Sequence, residues 1–112
     1  MKKIVTASVA FAVVLSLSVL KPVAAAEVKG DPAKGKEVFE QCGVCHNADS
    51  EEKKMGPGLK GLFKKDKLVN GKKVTEANVM AIINNGGNGM PAYADMLSDE
   101  EKANLMAYLK TL

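Results

Sequence analysis

Apolar residues recur along this chain mostly at helical spacing, and nowhere does a run of useful length alternate apolar with polar residues as a strand would. After a ragged start at 27–30, Asp31-Pro32 reads as an N-cap followed by proline at the first helical position. The pattern predicts a helix from there to about Gln41, with Val38, Phe39 and Cys42 on its apolar edge. Gly35 falls inside it, where glycine costs about 1 kcal/mol against alanine, so a close helix crossing is expected. A polar, then Gly/Pro-rich loop follows over 47–58, one helical turn at 59–63, and a lysine-rich loop over 64–73 with an Asn70-Gly71 turn signal. Thr75 caps a second helix whose stripe is Val79, Met80, Ile82 and Ile83, stopped by Asn84-Asn85-Gly86-Gly87. Residues 84–95 read as loop, and Ser98-Asp99-Glu100-Glu101 is a capping box opening a last helix with Leu105, Met106, Leu109 and Leu112 on one side. The domain is therefore predicted all-α, with long loops that need something to organise them.

The first 26 residues belong to a different category. Lys2 and Lys3, the apolar run 4–20 and Ala24-Ala25-Ala26 form the three parts of a secretory signal, with cleavage expected after Ala26. An uncleaved anchor is the alternative, since the run approaches the roughly 18 residues that span a bilayer. Lys21-Pro22 ends it early and favours cleavage; no other segment is long enough to cross a membrane. Either way the remainder faces outward, which for a bacterial envelope means the periplasm.

Without Lys2, Lys3 and Lys21 the formal charge falls from +3 to zero, so nucleic-acid binding loses its main support. The expected mature chain, 27–112, is a single domain of 86 residues whose only aromatics are Phe39, Phe63, Tyr93 and Tyr108. Such a thin core calls for a staple. A disulfide between Cys42 and Cys45 would close too small a loop to supply it.

Cys42-Gly43-Val44-Cys45-His46 has the C-x-x-C-H spacing of covalent haem attachment. On a helical turn these residues share a face, so two thiols can meet two vinyl groups while the imidazole points at the iron. A zinc site would want a fourth ligand, and the chain has no further Cys or His. A thioredoxin-type pair would need a βαβ context, and a plain disulfide leaves the thin core unexplained. For a second iron ligand, Met80 and Met106 lie on helical stripes and Met55 follows His46 too closely. That leaves Met90 and Met96, of which Met90, set in Gly86-Gly87-Asn88-Gly89-Met90-Pro91, is favoured because glycines permit close backbone approach.

With CGVCH, GPGL, GMPAY and matched terminal helices in this order, residues 31–112 resemble a class I c-type cytochrome of the small bacterial kind, similar to cytochromes c6 and c553. The resemblance implies a small cytochrome c fold, with N- and C-terminal helices crossing around one haem c bound through two thioethers. It implies iron ligation by His46 and Met90, and a carbonyl of Pro57 that accepts the N–H of His46. The helix crossing falls on Gly35, Phe39, Leu105 and Tyr108. The activity implied is shuttling of single electrons between redox partners by a non-enzymatic monomer, rather than ligand binding or peroxidase-type catalysis at a displaceable methionine. Eight lysines between residues 53 and 73 face Asp66 alone, a local excess of seven positive charges that would steer an acidic docking partner.

Overall fold

The computed structural model describes residues 29–112 together with the isolated residues 10 and 12, so the expected leader, those two residues apart, and its cleavage site lie outside the described residues. Three α-helices form: α1 Pro32–Phe39, α2 Glu76–Asn85 and α3 Asp99–Leu109, with a short 3-10 turn at Leu62–Lys64. Among the described residues there are no strands, only isolated bridges joining Lys67 to Lys73 and Gly87 to Met90. No helix among them is long and apolar enough to cross a membrane.

Each helix starts where its sequence supplies an acceptor for orphan backbone N–H groups. The Asp31 side chain accepts from Ala33 N, Thr75 accepts from Asn78 N, and Ser98 and Glu101 exchange both bonds of a capping box. The first helix ends at Phe39, two residues short of Gln41. Beyond it the chain tightens: Cys42 N–H and Gly43 N–H both donate to Phe39 O, so the cysteine segment continues as turns. The expected helical turn at 59–63 is likewise 3-10 and sits slightly later.

The frame is the crossing of α1 and α3. A Cβ on Gly35 would overlap the Asn104 carbonyl and lie 2.7 Å from Tyr108 Cβ, and one on Gly30 would overlap the Ala103 carbonyl. These glycines, with Ala103 and Ala107 opposite, let the two backbones touch. The contact is fastened by Asp31 N–H donating to Asn104 Oδ1 at 2.8 Å, across 73 residues of sequence, with Asn104 itself buried. The rings of Phe39 and Tyr108 meet at 5.3 Å, tilted by 57°, a favourable aromatic geometry.

Around this seam lies one core of Phe39, Leu62, Val79, Ile83, Tyr93, Leu97, Leu105, Met106 and Leu109. Leu105 is its most enclosed member, 1% exposed. On α2 the expected stripe narrows: Val79 and Ile83 are buried, Met80 packs half-buried against the core, and Ile82 is half-buried outside it. An ion pair of Lys110 with Glu76 links α3 to α2, but both side chains are about half exposed, so it adds little.

Replacing Gly35 by alanine should therefore destabilise the fold by about 1–3 kcal/mol, the helix-propensity gain notwithstanding, because a backbone carbonyl stands where the methyl would go. Chemical denaturation of the variant against the parent measures it, and an unchanged midpoint would contradict the contact.

Candidate functional site

Directly after α1 the turns carry Cys42, Cys45 and His46. Cys45 N–H and His46 N–H both return to Cys42 O, at 3.1 and 2.9 Å, which stacks the two cysteines and the histidine on consecutive turns of chain. Both cysteines are half-buried free thiols. Burial pushes the Cys42 thiol up from its ordinary pKa and the neighbouring Cys45 adds in the same direction, so Cys42 is a neutral thiol at pH 7.

The segment that follows folds back over this turn. Gly56 N–H donates to Cys45 O at 2.8 Å, Lys54 Nζ donates to Gly43 O at 3.1 Å, and Met55 Sδ comes to 4.0 Å from Cys45 Sγ. The fold-back brings the Pro57 carbonyl to 2.8 Å from His46 Nδ1. A carbonyl only accepts, so Nδ1 carries a proton, and in the neutral ring the lone pair lies on Nε2. Gly56 makes the approach feasible: a Cβ there would stand 2.8 Å from Nδ1 and closer still to Cε1.

The methionine segment is built differently. Gly86 closes α2 with φ +63, and a Cβ on it would overlap the Met90 carbonyl and lie 2.7 Å from Pro91, so only glycine fits. Gly87 and Met90 exchange backbone hydrogen bonds, both 3.0 Å, around Asn88 and Gly89, whose φ values are +52 and +89. Positive φ at both central residues is what a two-residue type I′ turn demands, and Asn-Gly is its preferred sequence. Tyr93 N–H to Ile83 O and Ala94 N–H to Asn84 O then tie the outgoing chain to the end of α2. Met90 is half-buried and packs against the core, whereas Met96 is 61% exposed and Met55 79% exposed. Tyr93 is buried, and its hydroxyl is pushed up by that burial and by Cys42 and Cys45, which puts it in the electrostatic neighbourhood of the cysteines.

Of the expected site residues, Cys42, Cys45, His46 and Pro57 are thus gathered on one pair of apposed loops, and Met90 is held on a separate turn against the same core. Sequence reasoning missed Gly56, Lys54 and the Asn88-Gly89 turn. An Asn-Gly pair immediately before the methionine was the available signal for the last; the first two close only through space.

Residues 30–109 match the model of the family described as cytochrome C oxidase, cbb3-type, subunit III. Cytochrome c6 of Diacronema lutheri is 32% identical over 81 residues, which cover 71% of this chain and 94% of that protein. The solved structure of cytochrome c6 from the diatom Phaeodactylum tricornutum superposes with a TM-score of 0.58 at 32% identity, covering 73% of this chain and 93% of that one.

The residues present fit a covalently bound haem. There are two free thiols at the required spacing, an imidazole whose Nδ1 is occupied by a carbonyl so that Nε2 is the nitrogen available, and a soft thioether against an apolar core formed in part by Phe39, Ile83 and Leu109. Asn84 Oδ1, next to the methionine segment in sequence, is buried with no hydrogen-bond partner, which marks polar capacity the polypeptide does not use on its own. Among the described residues no group of three or more His, Cys, Asp or Glu side chains is placed to hold a metal ion.

Gly56→Ala should destabilise the protein by about 1–3 kcal/mol and weaken the His46 to Pro57 hydrogen bond, because the ring must move to admit the methyl. Urea denaturation reads the first effect, and the NMR signal of the Nδ1 proton the second; a variant matching the parent in both would refute the packing argument.

Proposed function

Because the chain belongs to the c-type cytochrome family, and is thus a non-enzymatic electron carrier with one covalently bound haem c, we propose that Cys42 and Cys45 would hold the haem through thioethers and that His46 and Met90 would ligate its iron. The bound group supplies one iron that changes its charge by a single electron. The observation that carries the ligand assignment is the 2.8 Å contact of His46 Nδ1 with Pro57 O, which leaves Nε2 free to ligate.

Each remaining role belongs to the polypeptide. The Pro57 carbonyl holds the imidazole in one orientation and one tautomer, while Gly56, with no side chain, leaves the space that the ring occupies. The Asn88-Gly89 turn presents the Met90 sulfur from a loop tied to α2 at both ends, so neither ligand needs to move when the charge changes. With both bound to the iron, His46 and Met90 would leave no position for a small molecule, which favours outer-sphere electron transfer over ligand binding or catalysis. Half-buried Leu59 and the buried core keep water from the site and set its polarity.

The protein's redox partners are met transiently, and the segregation of charge bears on how. Residues 53–73 hold eight lysines and one aspartate, and the rest of the expected mature chain is correspondingly negative. This dipole would orient the molecule toward an acidic partner surface before contact. The leader at 1–26 supports export to the periplasm, where a monomer of this kind would shuttle between donors and acceptors.

Absorption spectra of the purified exported protein in both redox states test the assignment, since they report haem, thioether linkage and methionine ligation together; a colourless protein from cells competent in haem attachment would end it. The reduced parent should not bind carbon monoxide, and reduced Met90→Ala should, with Met96→Ala behaving as the parent. Electron-transfer rates with an acidic partner should fall severalfold or more as salt is raised from about 0.01 to 0.15 M, as the Debye length shrinks from about 30 to 8 Å; rates indifferent to salt would remove the steering role.

A further inference from the structure

Three Asn-Gly pairs occur in the chain, Asn70-Gly71, Asn85-Gly86 and Asn88-Gly89. Asparagine is a thermolabile residue, and a glycine after it leaves the next backbone nitrogen without a side chain to shield it. That nitrogen can attack the asparagine's own Cγ, but it must first surrender any hydrogen bond it donates. The structure separates the three pairs on this point. Gly71 N–H donates to Leu68 O at 2.9 Å, and the Asn70 side chain is engaged as well, its Oδ1 accepting from Lys72 N–H at 3.0 Å. Gly86 N–H donates to Ile82 O at 2.7 Å as the closing bond of α2, and the Met90 carbonyl and Pro91 leave no room for so much as a Cβ on it.

Asn88-Gly89 differs from both. Gly89 N–H has no partner among the described residues, nor has the Asn88 side chain, and both residues are exposed. The cause lies in the turn. Gly87 and Met90 take both of its backbone hydrogen bonds, so the two central residues make none. Their positive φ values are what favour Asn-Gly in this place. The backbone shape that presents Met90 thus selects a residue pair open to cyclisation and leaves its attacking nitrogen free.

From this we propose that Asn88 is a site of spontaneous deamidation, and that its isoaspartate product loosens Met90. The Gly89 nitrogen forms a bond to Asn88 Cγ, the Cγ–Nδ2 bond breaks, and the Gly89 proton leaves with the side-chain amide as ammonia. Water then opens the cyclic imide at one of its two carbonyls, and nothing is oxidised or reduced. One opening gives aspartate, which turns of this type accept. The other gives isoaspartate, whose main chain runs through the former side chain and is one methylene longer between Gly87 and Met90. A chain of that length does not keep both 3.0 Å bonds between these two residues. The modification itself is independent of the haem assignment, and only its consequence for the iron rests on Met90 being a ligand.

The test is incubation of the exported holoprotein in warm, mildly alkaline buffer, followed by peptide mass mapping and separation of the aspartate and isoaspartate forms. Conversion is expected at Asn88 severalfold to about tenfold faster than at Asn70 or Asn85, the difference that one amide hydrogen bond makes. Asn88→Gly, which leaves a pair the turn accepts, should abolish conversion at that position. In the isoaspartate form the Met90 amide should exchange its hydrogen about fivefold faster than before incubation, and the reduced protein should bind carbon monoxide. The aspartate form of the same sample should do neither. An unconverted Asn88, or conversion at Asn70 or Asn85 at the same pace, overturns the proposal. An isoaspartate form in which Met90 exchanges at the original rate overturns it too. Carbon monoxide binding before any incubation is a failure of the ligand assignment alone, and the mass map and exchange rates still decide the deamidation.

Discussion

The hydrogen bond between His46 Nδ1 and the Pro57 carbonyl decides which ring nitrogen is left bare, and the surrounding loops are arranged to keep it. An imidazole free to rotate would exchange its donor and acceptor positions, and its lone pair would have no fixed direction. To hold it, the chain must return within eleven residues to the turn it has just left, which it does through Gly56 N–H on Cys45 O and Lys54 Nζ on Gly43 O. Gly56 has to be glycine because the imidazole occupies the space its side chain would take.

That loop could not be positioned by its own contacts alone; it is long, polar and mostly exposed. Its foundation is the α1–α3 crossing, which fixes the end of α1 from which the cysteine turns emerge. Close approach here relies on glycine and alanine rather than on large side chains, and the Asp31–Asn104 hydrogen bond adds direction to a contact that packing alone would leave free to slide. In a domain with so few aromatics, the Phe39–Tyr108 pair and a fully enclosed Leu105 account for much of the apolar burial at this seam. The other end of the site is governed by backbone conformation: four consecutive residues with positive φ, Gly86 to Gly89, fold the methionine segment against α2.

Charge is arranged with equal economy. Lysines gather on the 53–73 segment and carboxylates elsewhere, so the expected mature chain is neutral in sum and strongly polar in distribution. Because these groups are exposed and almost all unpaired among the described residues, they contribute little to stability, and their effect falls on what the molecule approaches.

The amino-acid sequence by itself determined whatever depends on neighbours within a turn or two. The caps at Asp31, Thr75 and Ser98, the three helices and the cysteine–histidine motif were all legible, because their signals lie within a few residues of one another. Gly35 was legible as an anomaly, a glycine in a helix that had to have a cause. Pro57 was reached only by family resemblance, since nothing local says where a carbonyl eleven residues away will point. Tertiary structure alone decided that Gly30 and Gly56 face backbone and imidazole, that Asn104 reaches Asp31, that the lysine loop is a hairpin with Val69 at its tip, and that Ile82 stays outside the core. The reason is physical: these are contacts through space whose energy depends on distances set by the whole fold, and a one-dimensional pattern of residue types contains no such distances.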